Sequence, residues 1–172
     1  MKKKGIWISL GIVIAVACLI AVYLYSLPKG YIKIDTPGAE IQLRGRFGTK
    51  TISSKGPVTV GAGLYRTQNL GIKMNQDSET WQIGSRGPWG KLEQIEVKEN
   101  QTTALKLGPP FLIKPDVNRS GSQVSIGFAI VGQAGEQYQN AVTKNDERVS
   151  PPKAKIVDEA GTVLASGNFA YG

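Results

Sequence analysis

Apolar positions in this chain follow two different rules, and the change falls near residue 28. From Gly5 to Leu27 the run GIWISLGIVIAVACLIAVYLYSL is continuously apolar, with 19 of 23 residues hydrophobic and none charged. As a helix rising about 1.5 Å per residue it would reach about 34 Å, enough to cross a hydrocarbon core of about 30 Å. Trp7 near one end and Tyr23 and Tyr25 near the other stand where aromatic rings favour a membrane interface, and Pro28 and Gly30 stop the helix. A single transmembrane helix over 5–27 is expected.

Beyond it the apolar residues recur with period two, in short runs separated by Gly, Pro, Asn and Ser, as half-buried strands require. Ile32 and Ile34 share a face, as do Ala39, Ile41 and Leu43, and Val58 and Val60. Ile95 and Val97, then Leu105 and Leu107, form two more runs joined by the turn-like Glu99-Asn100-Gln101. Val124, Ile126, Phe128 and Ile130 alternate with small residues in the cleanest strand of the chain, after the turn cluster 118–122. Residues 154–157 and 162–165 flank Asp158-Glu159-Ala160-Gly161 as a hairpin, with Gly161 available for positive φ. Phe169 and Tyr171 could face one side of a last strand.

No helical period of useful length occurs after residue 28, so the expected fold is an all-β ectodomain following one N-terminal transmembrane helix. Gly108-Pro109-Pro110 denies backbone donors and marks the internal boundary. The division is a basic tag 1–4, an anchor 5–27, a membrane-proximal β module 28–107 and a distal β-sandwich module 108–172. The ectodomain is one or two small antiparallel β-sandwich modules, packed against each other because each core alone is marginal.

Lys2, Lys3 and Lys4 place the N-terminus in the cytoplasm and the C-terminal domain outside it by the positive-inside bias. Two alternatives share that compartment. Ala15-Val16-Ala17 resembles a signal-peptidase site, and with Cys18 it resembles a lipobox, although Ala15 stands where Leu is usual. The apolar block Leu19–Leu24 that follows favours a retained anchor over cleavage or lipidation at Cys18. A prepilin-like leader is dropped, because Leu10 occupies the position of its Glu and Pro28 ends the helix.

The composition removes much chemistry. There is no His, and the only Cys lies inside the apolar run, so imidazole catalysis, thiolate nucleophiles, disulfides and His- or Cys-ligated metals are not expected downstream. The 13 acidic residues show no distinctive pairing. Asp146-Glu147 and Asp158-Glu159 are neighbours whose side chains diverge on extended chain, and Asn145-Asp146-Glu147 lacks calcium-loop spacing. No nucleophile-elbow or phosphate-loop motif occurs, so neither catalysis nor a cofactor nor a metal is expected. A small hydrolase using two carboxylates remains as the enzymatic alternative.

Charge is uneven. The tag carries +3; residues 28–107 hold 12 basic and 7 acidic residues; residues 108–172 hold 6 of each. The densest basic stretch is Arg44-Gly45-Arg46-Phe47-Gly48 with Lys50 and Lys55, read as a hairpin tip and loop. Arg44, Arg46, Lys50 and Lys55 are the candidate contacts to anionic lipid or an acidic envelope polymer, with a solvated basic loop that binds nothing as the alternative. Nucleic acid is not an expected partner, since the aromatic interleaving of a base-stacking platform is limited to Phe47. Trp81 and Trp89 bracket the Gly84–Pro88 loop and are candidates for ligand stacking, with core packing as the alternative for at least one.

The segment Pro37-Gly38-Ala39-Glu40-Ile41-Gln42-Leu43-Arg44-Gly45, followed by Gly63-Leu64-Tyr65-Arg66, resembles the PEGA-type β-domains of bacterial envelope proteins over residues 30–75. It departs from their pattern by one residue missing between Pro37 and Gly38 and by Arg44 in place of the usual Asp. The part from Ser125 to Gly172 resembles the tails of exported bacterial proteins of uncharacterised function. These resemblances imply an envelope location and a β-sandwich, and no activity. The functional expectation is a single-pass envelope protein whose ectodomain binds other envelope proteins or organises the envelope without catalysis; the alternative is an accessory subunit of a membrane complex.

Overall fold

The computed structural model describes residues 16–18, 26–139 and 142–169. Val16–Cys18 and Ser26 are helical and Leu27 is a bend; residues 5–15 and 19–25 of the expected span, with Trp7, Tyr23 and Tyr25, lie outside the described residues, as does Tyr171. Among the described residues no helix is long and apolar enough to cross a membrane. From Lys29 onward the structure is nearly all β, in several antiparallel sheets.

The strands in chain order are β1 Lys29–Ile34, β2 Ala39–Gly45, β3 Gly48–Ser53, β4 Val58–Gly61, β5 Gly63–Gln76, β6 Glu79–Ser85, β7 Gln94–Val97 and β8 Thr102–Leu105. There follow β9 Leu112–Ser120, β10 Gln123–Val131, β11 Gln137–Tyr138, β12 Thr143–Lys144, β13 Glu147–Arg148, β14 Lys153–Val157 and β15 Val163–Asn168. A first sheet runs β4-β1-β8, and a second runs β3-β2-β5-β6-β12-β13 with β7 beside the first half of β5. A third is β9-β10-β11, and β14 with β15 forms a two-stranded ribbon.

Period two explains the packing of the first two sheets. Ile32 and Ile34 of β1, Val60 of β4 and Leu105 of β8 point inward to meet Ala39, Ile41 and Leu43 of β2, Ile52 of β3 and Ile95 and Val97 of β7. The odd member is β5, where Tyr65 and Thr67 are buried and then Leu70 and Ile72. Its register against β2 slips between Gln42 and Leu43, so Gln68 is an extra residue and the inward parity reverses across the bulge.

One connection passes from one layer to the other. The turn 99–101 does not close a hairpin: β7 pairs antiparallel with β5, while β8 crosses to the other layer and lies parallel to β1. The far end of the body, where β1 ends and β2 begins, is fixed by a turn at Gly38 (φ +71°), where a Cβ would stand 1.8 Å from the Lys73 carbonyl oxygen, so only glycine fits. Thr36 Oγ1 donates there to the Leu107 carbonyl.

The Gly108-Pro109-Pro110 boundary lies at this far end, and the segment after it returns to the same core. Ala134 and Tyr138 are buried with Leu107, Trp89 and Leu92; Gln137 N–H donates to the Pro88 carbonyl; β12 pairs with β6. Farther out, the β9-β10 hairpin turns on Gly121 (φ +61°) and Ser122. Its cross-strand pairs Ile113/Ile130, Val117/Ile126 and Arg119/Val124 share a mostly apolar face, and Lys114/Ala129, Asp116/Gly127 and Asn118/Ser125 the opposite one. Part of the apolar face meets the β14-β15 ribbon, where the Phe128 and Phe169 rings stand edge to face at 4.7 Å.

Candidate functional site

The basic residues converge on the near end of the body. Lys29 pairs with Gly61 across β1 and β4, and the β2-β3 hairpin closes at Gly45 and Gly48, beside the start of β5. These registers bring the chain's entry point, the Arg46-Phe47 tip and the β4-β5 connection together. Between them lies a groove of about 570 Å³, lined in part by Leu27, Lys29, Phe47, Lys50, Val60 and Tyr65. Tyr65 Oη donates to the Gly61 carbonyl at 2.8 Å, and burial pushes its phenol above the usual value. At the tip the Arg46 guanidinium stands 5.6 Å from the centroid of the Phe47 ring, which is 66% exposed.

One row further along, on the outer face, Thr49, Arg44, Arg66 and Gln94 lie side by side across β3, β2, β5 and β7. Two arginines directly opposite each other repel, and among the described residues neither has a carboxylate within ion-pair distance. Lys55, grouped with this cluster on sequence proximity, sits on the β3-β4 connection, next to Ser54, which bonds Gly38 and Ala39 at the far end. The structure therefore keeps Arg44, Arg46 and Lys50 at one end, with Lys29 and Arg66, but on two sides: Lys50 shares the groove side with Leu43, Arg44 and Arg66 lie on the outer face, and Lys55 is at the other end.

The two tryptophans part company. Trp89 is 8% exposed and belongs to the core, so its ring has no face to offer a ligand. Trp81 lies on β6 opposite Lys144 of β12, whose Nζ stands 5.4 Å from the ring centroid and 2.7 Å from Glu79 Oε1. Trp81 also lines an apolar cavity of about 320 Å³ with Met74, Ile83, Phe111, Ile113 and Ile130. Sequence reasoning missed this cavity, which forms between the β5-β6 and β9-β10 hairpins. Its signal was the unbroken apolar run Phe111-Leu112-Ile113, which cannot put all its side chains on one face of a strand.

Sequence reasoning also missed Glu136, which is wholly buried. Its Oε1 accepts from Gly108 N–H at 2.6 Å and from Tyr138 Oη at 2.9 Å, and its Oε2 from Ala134 N–H at 2.9 Å. The Tyr138 phenol is pushed up, first by burial and then by the carboxylate it donates to. Of the adjacent acid pairs 146–147 and 158–159, the two aspartates accept hydrogen bonds at turns. Asp158 Oδ1 accepts from Thr162 N–H, and Asp146 Oδ1 accepts from Gln82 Nε2, beside a β12-β13 turn in which Asn145 and Asp146 both have positive φ.

No family model matches the chain, and neither a curated protein nor a solved structure does. The chemistry of its surfaces is what remains. The near end combines guanidinium and ammonium groups with an exposed ring, a set suited to oxyanions at an apolar boundary. The distal hairpins offer apolar area: Ile113 is 64% and Val117 60% exposed, although both lie on the apolar face of β9-β10, and Leu164 of the ribbon is exposed as well.

Proposed function

We propose that this chain is a single-pass, membrane-anchored envelope protein, N-terminus in the cytoplasm, whose extracytoplasmic β-sandwich ectodomain works by contact with other envelope components and not by catalysis. The observation that carries this is the half-uncovered apolar face of the β9-β10 hairpin. Folding leaves Ile113, Val117 and Val124 at least half exposed on the side where Ile126, Phe128 and Ile130 are packed. Contiguous apolar surface of this kind on a β-hairpin is characteristic of a partner-binding face. The PEGA-like turn and hairpin at 37–45 are in keeping with an envelope module.

The same face favours the accessory-subunit form of this reading, in which the partner is an integral part of a membrane complex. The carboxylates of Asp146, Asp158 and Glu136 accept hydrogen bonds in turns and in the core, which is in keeping with structural roles for these three. The test is mild detergent extraction followed by affinity purification of the full chain beside Val117→Asp and Leu164→Glu. A discrete partner is expected with the parent chain and lost with the variants, while the urea midpoint stays within experimental error. A lone monomer in the parent sample refutes the reading. Fractionation with intact-mass measurement tests the anchor: a mass shortened to residue 18 excludes it.

A further inference from the structure

The near end of the body has no tether. Between Leu27, the last residue of the apolar run, and Lys29, the first of β1, stands only Pro28. One residue spans at most about 3.6 Å. Pro28 is itself held, its carbonyl accepting from Ala62 N–H at 2.8 Å, and Leu27 already lines the groove. A helix ending at Leu27 therefore leaves the body no room to stand away from whatever surface the helix emerges from.

That end is the basic one. Near it lie Lys29 at the start of β1, Arg46 at the hairpin tip and Lys98 in the β7-β8 connection, with Arg44 and Arg66 on the next row and Lys50 one row beyond on the groove side, against Glu96, which faces Leu64, and Glu99. Its exposed apolar side chains are Phe47 at the hairpin tip and Leu64 at the start of β5. Cations ringed around an exposed aromatic match a bilayer interface, where phosphates lie outside and the acyl boundary begins a few ångströms deeper.

We propose that the near end of the ectodomain rests on the bilayer, with Arg46 and Lys50 on the phosphates of anionic lipids and Phe47 at the acyl boundary, the groove above Leu27 seating one headgroup. This rests on the membrane-anchored reading above. It fixes the orientation of the whole ectodomain: β1 leads away from the bilayer, and the distal hairpins, which spring from the far end, project into the envelope.

The test uses the full chain with Cys18→Ser and a single fluorophore at Phe47→Cys or, as a far-end control, at Lys55→Cys. Each is reconstituted into phosphatidylcholine vesicles with or without phosphatidylglycerol, all carrying a headgroup-attached quencher. Strong quenching is expected at position 47 and little at 55. The signal at 47 should rise with phosphatidylglycerol, fall in Arg46→Glu/Lys50→Glu, and fall in high salt, which shortens the screening length to about 3 Å at 1 M. Equal quenching at both positions, or quenching at 47 indifferent to lipid charge, overturns the proposal while leaving the anchor standing, provided the protein stays with the vesicles through an alkaline wash. Release in that wash overturns the anchored reading and this proposal together. A label at 47 unquenched on anionic vesicles but shielded by a soluble polyanion also overturns it, in favour of an acidic polymer.

Discussion

Replacing Glu136 should be among the most damaging single changes in the β-rich body. Its two oxygens accept from Gly108 N–H, Ala134 N–H and Tyr138 Oη, all at 2.9 Å or less and all buried. Glu136→Ala strands three donors at about 1–3 kcal/mol each and opens a cavity, an upper bound that water entry and relaxation reduce to about 3–5 kcal/mol. Glu136→Gln keeps one oxygen for Gly108 and Tyr138 but turns an amide N–H₂ towards the Ala134 N–H, so about 1–3 kcal/mol is expected. Against a domain stability of about 5–15 kcal/mol, the alanine variant is close to unfolding. Urea titration followed by the fluorescence of core Trp89 measures both, and amide exchange at Gly108 and Ala134 reads the stranded donors directly. Losses below about 1 kcal/mol in both variants, with exchange unchanged, would refute the assignment of Glu136 as the pin of this segment.

Two further outcomes follow from the same neighbourhood. A Cβ at Gly132 would stand 2.1 Å from Glu136 Oε1, so Gly132→Ala should cost more than about 2 kcal/mol, while Gly121→Ala, with open space and only a positive φ to strain, should cost about 1 kcal/mol; equal losses in urea titration would contradict the packing. The Tyr138 phenol is raised above its ordinary 10.0, so its contribution is complete below about pH 10 and is lost as pH climbs and the unfolded phenol ionises while the folded one stays protonated. Urea midpoints should therefore fall more steeply above pH 10 in the parent chain than in Tyr138→Phe, and parallel curves would count against it.

Much of the strand pattern was legible because a half-buried strand must alternate. Ile32/Ile34, Ala39/Ile41/Leu43 and Val124/Ile126/Phe128/Ile130 all lie in strands, and the basic hairpin tip and the 158–161 turn stand where their glycines and polar residues put them. Alternation says that a strand exists, however, and nothing about its partner. The runs Ile95/Val97 and Leu105/Leu107 are joined by a short turn, yet β7 and β8 belong to different sheets, and β8 finds β1 by a parallel pairing whose other half is far away in the chain. The long β5 escaped because the bulge at Gln68 reverses its parity midway.

The candidate site was legible only as composition. Arg44, Arg46 and Lys50 stay at one end because a tight hairpin keeps sequence neighbours close, although the pleat puts Arg44 and Lys50 on opposite faces, whereas Lys55 lies five residues beyond Lys50 and is carried by β3 to the opposite end. Gly135-Glu136-Gln137 reads as an ordinary polar loop. What buries its acid is the coincidence of two backbone donors from segments 28 and 2 residues away, and no local pattern announces that.

The parallel pairing of β1 with β8 also sets a timetable. The first strand made is the central strand of its sheet, and the bond from Thr36 to Leu107 spans 71 residues. At about 5–20 residues per second, β1 waits about 4–14 s after its own synthesis with one edge open. Through that interval Ile32 and Ile34 have no second layer complete above them, and a strand with a free edge can template wrong pairings. Newly made copies of this chain are thus most exposed to aggregation when roughly half of the β-rich part has emerged, and a chaperone that binds extended apolar chain would find its target in residues 29–34.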